Sequence, residues 1–426
     1  MNILILGATG FIGSALAQHL ADEGHTVTGL GRAPARMTQR LPNIRWIAVD
    51  LATMTDPASW NGMLSGQDIV INCAGALQDG MADDLDSTQF RAMIALYAAA
   101  KSAAVQRIVQ ISARTDGAAA NTPFLATKRR ADEALSASDV PFVILRPALV
   151  IGRNAHGGTA LLRALAAFPL LQPLSLARSR IATTAIPDVA QATSRAVNGE
   201  LPSGTDAQVA AKEQTTLADL VRLHRRWLGL PPARIISVPA LLGRPLTWLA
   251  DAAGRLGWRS PLRSTAMTVM AEGVIAGERG VVVAGTSAEQ TLAGNPAGVQ
   301  DLWFARLYLL KPLVIIGLSL FWLLSGLIPL LAPARAAGHF LPFMSPAAAY
   351  ALTFATCLLD IALGFTVLVR PWARKALFGM LTVSLAYLGG ATLLEPVLWL
   401  DPIGPLIKVL PSMLLTLIAL AILDER

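Results

Sequence analysis

The apolar positions of this chain change their rhythm twice. At the start they come as short unbroken runs. Ile3 to Leu6 is one, the pattern of a strand buried on both faces, and Gly7, Gly10 and Gly13 follow it. Behind the glycines, "FIGSALAQHLADEG" spaces its apolar residues as an amphipathic helix does. Further runs in "HTVTGLGR", "IRWIAVDL" and "DIVINCAGA" read as strands. Strand, glycine turn, helix, strand is the opening of a doubly wound, parallel-sheet α/β fold of the Rossmann kind. The second rhythm lies between residues 220 and 263, where "SVP", "GRP" and "RSP" break the chain into short pieces. Within it, "LLGRPLTWLADAAGRLGW" carries an apolar stripe at Leu242, Leu246, Leu249, Ala253 and Leu256, with Arg244, Asp251 and Arg255 off it. That stripe either packs on the core of a substrate-side region or rests on anionic lipid.

The third rhythm is a series of long apolar runs. Residues 313–332 carry no charge over twenty positions, enough to cross a hydrocarbon core. Comparable runs cover about 347–369, 376–394 and 403–423. These predict an all-α, four-helix transmembrane domain at 301–426, behind a Rossmann domain with its substrate-side region at 1–300. "RPWARK" at 370–375 is basic, whereas 395–402 has no Lys or Arg. With the Rossmann domain in the cytoplasm, four spans put the basic loop inside, as the positive-inside rule expects. The expected location is a bacterial-type inner or plasma membrane. Asp360, Lys408 and Glu395 fall within or at the ends of apolar runs, where a charge is costly and serves pairing or function.

Composition agrees with this division. The chain is 54% hydrophobic and 15% charged, with mean hydropathy +0.51, against about 25% charged in an average soluble domain. Its net charge of +7 comes without a nucleic-acid recognition motif or a dense Lys/Arg tract, so basic residues flanking membrane helices account for it and no nucleic-acid partner is expected. Cys73 and Cys357 make no disulfide scaffold, and the five histidines offer no ligand pair at helical spacing, so no metal site is expected. "MNILILG" reads as a buried strand rather than a secretion signal.

The chemistry concentrates near the first turn. Glycines there allow a tight turn, close approach to a pyrophosphate and close packing of helix on strand, and the helix N-terminus offers free N–H groups to phosphate. Gly7, Thr9, Gly10, Phe11, Ile12 and Gly13 are therefore candidate cofactor contacts. The second strand ends at Arg32, with Arg36 nearby, where a ribose-binding carboxylate would otherwise stand. An arginine there pairs with a 2′-phosphate, which favours NADP over NAD. Asp50 and Leu51 border the adenine, and the small residues Ala74 and Gly75 leave room over the next strand end. Cys73 reads as a small buried hydrophobe.

The ordered set "GATGFIG", "VDL", "NCAG", "RIVQISA", "TPFLATKRRADEAL" and "VPFVILRPALVIGR" resembles the short-chain dehydrogenase/reductase superfamily. The closer resemblance is to its atypical branch, which includes NmrA-like proteins and the accessory Rossmann subunit of respiratory complex I. It covers residues 1–153, and more loosely the chain to about 290. The resemblance implies a Tyr-x-x-x-Lys pair on one helix face, with tyrosine as proton donor and lysine on the nicotinamide ribose, and a strand-end serine on the substrate oxygen. Lys128 matches the lysine and Ser112 the serine, with Arg114 as the other occupant of that position. Phe124 stands where the tyrosine belongs, and it has no proton to exchange. Thr127, Tyr97 and His156 are the substitutes to consider. Pro147 sets the turn near the nicotinamide, and Asp188 reads as a helix N-terminal carboxylate. In the C-terminal part, "FWLLSGLIPL", "LLDIALG" and "PLIKVLP" resemble the DoxX-like membrane family over about 303–423.

Together these readings lead to a membrane-anchored NADP(H)-binding atypical reductase for a lipophilic, quinone- or lipid-like substrate, in contact with membrane lipid. A non-catalytic NADP(H)-binding redox sensor, scaffold or assembly factor of a respiratory or quinone-synthesis complex in the membrane is the alternative that Phe124 favours. A transporter regulated by its Rossmann part is the third.

Overall fold

The computed structural model describes residues 1–76, 78–81, 83–275 and 281–424. The chain divides into two compact units, one of residues 1–254 and 260–305, the other of residues 255–259 and 306–426. In the first, eight strands form one sheet. They are β1 (Asn2–Leu6), β2 (Thr26–Gly31), β3 (Arg45–Ala48), β4 (Ile69–Asn72), β5 (Arg107–Ile111), β6 (Phe142–Pro147) and, after β7 (Leu149–Ile151), β8 (Leu171–Leu174) and β9 (Arg180–Ala185), the later strand β10 (Thr205–Ala211). Beyond β11 (Gln214–Thr216) and β12 (Arg234–Ser237), the edge strand is β13 (Val281–Gly285). The order is β13-β10-β6-β5-β4-β1-β2-β3, with every neighbouring pair parallel. The order reverses between β1 and β4, and the crevice outside that switch point is where doubly wound sheets bind ligands.

Helices cover both faces because a parallel sheet exposes an apolar surface on each side. In chain order the helices of this stretch are α1 (Phe11–Asp22), α2 (Ala35–Arg40), α3 (Asn61–Leu64), α4 (Ala92–Ser102), α5 (Pro123–Ser136), α6 (Gly158–Ala166), α7 (Ile186–Val197) and α8 (Leu217–Trp227), of which α6 and α8 pack on each other in the substrate-side region instead. Gly13, Leu16, Ala17 and Leu20 form the buried face of α1, which packs with α7 over Ile3, Ile5 and Val27. On the opposite face, α4 sets Met93, Leu96 and Tyr97 against Leu4, Leu6 and Trp60. Each fully buried leucine contributes roughly 1.5–3 kcal/mol. Asp188 lies in the first turn of α7, as the sequence suggests. Its carboxylate also accepts from the Thr286 N–H at 2.6 Å and hydroxyl at 3.0 Å, which ties the chain just after β13 to the start of α7.

The substrate-side region adds a three-stranded sheet, β11-β9-β7, and a parallel pair, β12-β8. It also holds α9 (Ala240–Arg255), α10 (Ser264–Glu272) and α11 (Ala288–Ala293). A core-facing stripe on α9 is not what the fold contains. Leu242, Leu246, Leu249 and Leu256 are exposed, and the helix turns Gly243, Thr247, Ala250 and Gly254 inward instead. Small residues let α9 approach its neighbours closely, and the bulky ones then have nowhere inside to go.

The C-terminal helices are α12 (Val299–Leu331), α13 (Pro333–Gly338), α14 (Pro346–Thr366), α15 (Arg370–Leu394) and α16 (Val409–Ile422). Three of them, α12, α14 and α15, are long and apolar enough to cross a membrane. Few of their residues are buried, and Leu320, Leu327, Leu358 and Leu385 face outward. Apolar side chains all round a helix suit lipid rather than water. The expected fourth span differs. Helix α16 has 14 residues, about 21 Å at 1.5 Å per residue, against a hydrocarbon core of about 30 Å. Lys408 is its N-cap rather than a charge within a span, and Glu395 is the C-cap of α15, 3.8 Å from His339. Asp360 is buried on α14 and accepts from the Tyr387 hydroxyl of α15 at 2.8 Å, a hydrogen bond that gives a polar group inside the helices a partner.

One titratable group in the core gives a measurable consequence. His224 on α8 is fully buried, with Nδ1 2.9 Å from the Leu220 carbonyl, and burial pushes its pKa down from 6.5 to about 4. Between those values the unfolded chain binds a proton that the folded chain does not, so stability falls as pH drops through the window. Lowering the pH from 7 to 5 is expected to cost about 2 kcal/mol at this residue. The thermal unfolding midpoint of the detergent-solubilised chain should therefore fall less steeply with pH in His224→Gln than in the parent chain.

Candidate nucleotide-binding site

The first turn is built around close backbone approach. Gly7 has φ +68°, and a Cβ there would lie 2.8 Å from Ala74 Cα at the end of β4. A Cβ on Gly13 would fall on the Gly7 carbonyl, which is why α1 can begin this close to β1. The Gly10 N–H donates to Gly7 O at 2.9 Å, and Gly10 is the N-cap of α1. Gly10 has no side chain with which to cap the first turn of α1, so that helix end is not closed off by a side chain of its own cap residue. A cradle that excludes side chains and ends in a helix N-terminus fits a dinucleotide pyrophosphate.

Around the cradle the predicted residues fall into place unevenly. Thr9 packs where a Cβ on Gly31 would stand, closing the turn against β2. Arg32 ends β2 and donates to Asp83 at 2.7 Å, so an acidic loop holds it at the strand end. Arg36 is on α2. Asp50 caps the single turn Leu51–Thr53, accepting from the Ala52 N–H at 3.1 Å, and Leu51 is buried in the core with Leu4 and Leu30. Gly75 lies beside Lys128, whose Nζ would be 3.5 Å from a Cβ on that glycine. Cys73 next to it is held protonated, because burial pushes its thiol up to about 12.

Lys128 is buried on α5, and its Nζ donates to the Ile111 carbonyl at 3.2 Å. Burial pulls its pKa below the ordinary lysine value, while Asp132, one turn further along α5, pulls it back. Asp132 was not evident from the sequence. It accepts from the Ser112 hydroxyl at 2.6 Å and from Arg146 at 2.8 Å. Arg146 also grips both oxygens of Asp206, at 2.8 and 2.9 Å, and donates to Ala113 O at 2.6 Å. Burial pushes the Asp132 carboxyl up, against the pull of Arg146, Ser112 and Lys128. Two signals for this cluster were available. Phe124, Lys128 and Asp132 recur at i, i+4 and i+8, and Arg146 interrupts an otherwise apolar strand.

A cavity of about 200 Å³ opens beside this cluster. Phe124, Leu125, Pro147, Leu149, Val150 and Val274 supply its apolar wall, and Arg114, Arg146, Gln208 and Glu272 its polar one. Phe124 thus lines the cavity, while Ser112 directs its proton to Asp132. Among the substitutes, Thr127 donates back to Pro123 O and Phe124 O within its own helix. Tyr97 is buried in the α4 core, and burial raises its pKa further above the ordinary value. His156 stacks on Phe11, with ring centroids 6.0 Å apart, and so lies against the glycine turn. Glu272, which the sequence did not single out, accepts from the Ala119 N–H at 2.5 Å on the cavity rim.

Comparison with known proteins agrees with this geometry. Residues 7–196 match the NAD(P)H-binding family, and residues 319–417 match the DoxX-like family. The chain thus has a stretch similar to an NAD(P)H-binding family followed by a stretch similar to the DoxX-like family. A solved UDP-glucuronic acid 4-epimerase from Bacillus cereus, in complex with NAD, shares the fold at 19% identity and a TM-score of 0.52, covering 72% of this chain and all of that one. The chloroplast protein High chlorophyll fluorescence phenotype 244 of Arabidopsis thaliana is 25% identical over 62% of this chain and 66% of its own length. A ceramide reductase of Caulobacter vibrioides is 26% identical over 44% of this chain and 58% of its own length. The chain thus spans less than two thirds of either relative.

The cradle distinguishes two substitutions. Gly10→Asp sets a negative charge at the helix N-terminus and is expected to weaken NADPH binding by about 100-fold, since like charges in contact cost several kcal/mol. Gly13→Ala drives a methyl group into the Gly7 carbonyl and is expected to destabilise the fold by about 1–3 kcal/mol. Nicotinamide fluorescence titration reads the first, and the thermal midpoint without nucleotide reads the second.

Proposed function

We propose that the chain is a membrane-anchored, NADPH-dependent reductase of the atypical short-chain kind, acting on a lipophilic carbonyl compound of quinone or lipid type. The observation that carries the proposal is the cavity beside Pro147, apolar on the Phe124 side and polar on the Arg114 and Gln208 side. That division suits a ligand with a greasy body and one oxygen-bearing end. The C-terminal helices support a lipid-borne substrate, and so does the likeness to a relative named for ceramide reduction. Arg32 and Arg36, at the end of β2 and on α2, support NADP over NAD. The basic stretch 370–375 supports an inner or plasma membrane with the Rossmann domain on the cytoplasmic side.

Bound nicotinamide nucleotide would supply the hydride. The chain's own part is to hold it on the glycine cradle, to set Lys128 beside the end of β4, and to present the carbonyl in a cavity that Phe124 keeps apolar. Phe124 supplies no proton. A quinone oxygen, which gains its proton readily from water, asks least of such a site.

A second reading is a non-catalytic NADPH-binding module within a membrane complex. Phe124 and the engagement of Ser112 with Asp132 favour it. One experiment separates the two. Detergent-purified chain is titrated with NADPH and NADH, then given a short-chain quinone or a keto-lipid while absorbance of the reduced nicotinamide is followed. The reductase reading expects slow NADPH oxidation, and a rise in kcat of about tenfold or more on a keto-lipid in Phe124→Tyr, because general acid catalysis is worth about 10²–10⁴-fold. Tight NADPH binding without oxidation in either protein would favour the non-catalytic module.

A further inference from the structure

We propose that α9 is an interfacial helix that docks the Rossmann unit onto the anionic surface of the bilayer its own C-terminal helices enter. The proposal stands on surface chemistry and is independent of whether the nucleotide site turns over.

The helix is built inside out. Around its axis at 100° per residue, Gly243, Thr247, Ala250 and Gly254 fall on the inward side, and Leu241, Leu242, Leu246 and Leu249 share the outward arc. Leu242, Trp248 and Leu249 are 69%, 70% and 68% exposed. Water-soluble surfaces rarely carry a contiguous apolar patch of this kind, and its natural solvent is the boundary between headgroups and acyl chains. The β12-β8 pair that leads into α9 exposes Ile236, Leu171 and, in the turn before β8, Leu170, which is 85% exposed.

Charge and chain continuity identify the occupant. Arg244 and Arg255 border the apolar arc of α9 on one side, and both are exposed. Residues 220–263 hold eight arginines and one acid, Asp251, which is occupied by Arg263 at 3.3 Å. Exposed basic residues beside an apolar face are attracted to an anionic leaflet. The residues that follow α9 then join the helical unit. Trp258 donates its indole N–H to Leu368 O at 2.6 Å, and its ring lies 5.5 Å from the Arg370 guanidinium and 6.0 Å from Lys311 Nζ. Arg370 starts α15, and Lys311 precedes the uncharged run of α12, so Trp258, three residues beyond α9 in the chain, lies among the basic groups that flank the apolar runs of the helical unit. A helix whose outward side is leucine, tryptophan and flanking arginine, and whose chain runs directly into the helical unit, fits a lipid surface better than a protein groove.

The test uses the full chain in nanodiscs, with Cys73→Ala and Cys357→Ala removing the native thiols. Nitroxide labels are placed singly at Leu242→Cys, Leu249→Cys and, as a water-exposed reference, Glu213→Cys, and retained NADPH binding checks each fold. Power saturation with oxygen and with a nickel chelate reads the solvent around each label. The expected result is an oxygen-to-nickel ratio several-fold higher at 242 and 249 than at 213 in discs containing phosphatidylglycerol. The difference should shrink in pure phosphatidylcholine or in Arg244→Glu with Arg255→Glu. Nickel access equal to that at 213 would overturn the proposal by showing water. Shielding from both reagents would overturn it by showing a protein cover, and dipolar broadening that vanishes on dilution with unlabelled chain would identify that cover as a second copy. A high ratio indifferent to lipid charge would overturn the anionic preference.

Discussion

The buried contact between Asp132 and Arg146 orients the helix that carries the site's chemistry. Asp132 lies on α5, Arg146 on β6, and their partners Ser112 and Asp206 lie at the end of β5 and on β10. Removing one member of such a cluster strands a buried charge, a loss on the order of 3–5 kcal/mol. The contact therefore opposes rotation of α5 against the sheet. With Asp132 held, the i, i+4 geometry sends Lys128 toward the end of β4 and leaves Phe124 on the cavity wall.

This arrangement divides the site into two kinds of surface. Around Gly7, Gly10 and Gly13 the chain offers backbone, close approach and a helix N-terminus, the features that suit a pyrophosphate whatever reaction follows. Around Phe124 and Pro147 it offers a small two-sided cavity. The ionisable groups beneath the cavity face one another, so they stabilise a geometry more than they supply a proton. An enzyme on this plan would depend on position and on a substrate that takes its proton from water.

Burial is inverted in two other parts of the chain. Helices α12, α14 and α15 turn bulky apolar side chains outward, and α9 does so on one side. In each case small or polar residues take the inward positions: Gly364 of α14 against Leu323 of α12, Asp360 against Tyr387, and Gly243 and Gly254 on α9. Close helix approach on the inside and apolar surface on the outside is the packing expected where the outer solvent is hydrocarbon rather than water.

The sequence by itself determined the elements and their class. Apolar runs followed by glycines and amphipathic helices specify a doubly wound sheet, because strands buried on both faces have no other pattern. Gly7 and Gly13 could be read directly, since only glycine tolerates those contacts. Three long apolar helices were legible from length and hydropathy, whereas the fourth apolar run holds a helix of only 14 residues because hydropathy does not record where a helix starts. Tertiary structure decided what depends on contacts between distant residues. Asp132 and Arg146 are 14 positions apart and meet only when α5 lies on β6. The partners of Ser112, Asp50 and Arg32, which are Asp132, the Ala52 N–H and Asp83, were likewise set by the fold. The stripe on α9 is the clearest case. Periodicity shows that a helix has an apolar face, but which way that face points is set by the neighbours it packs against.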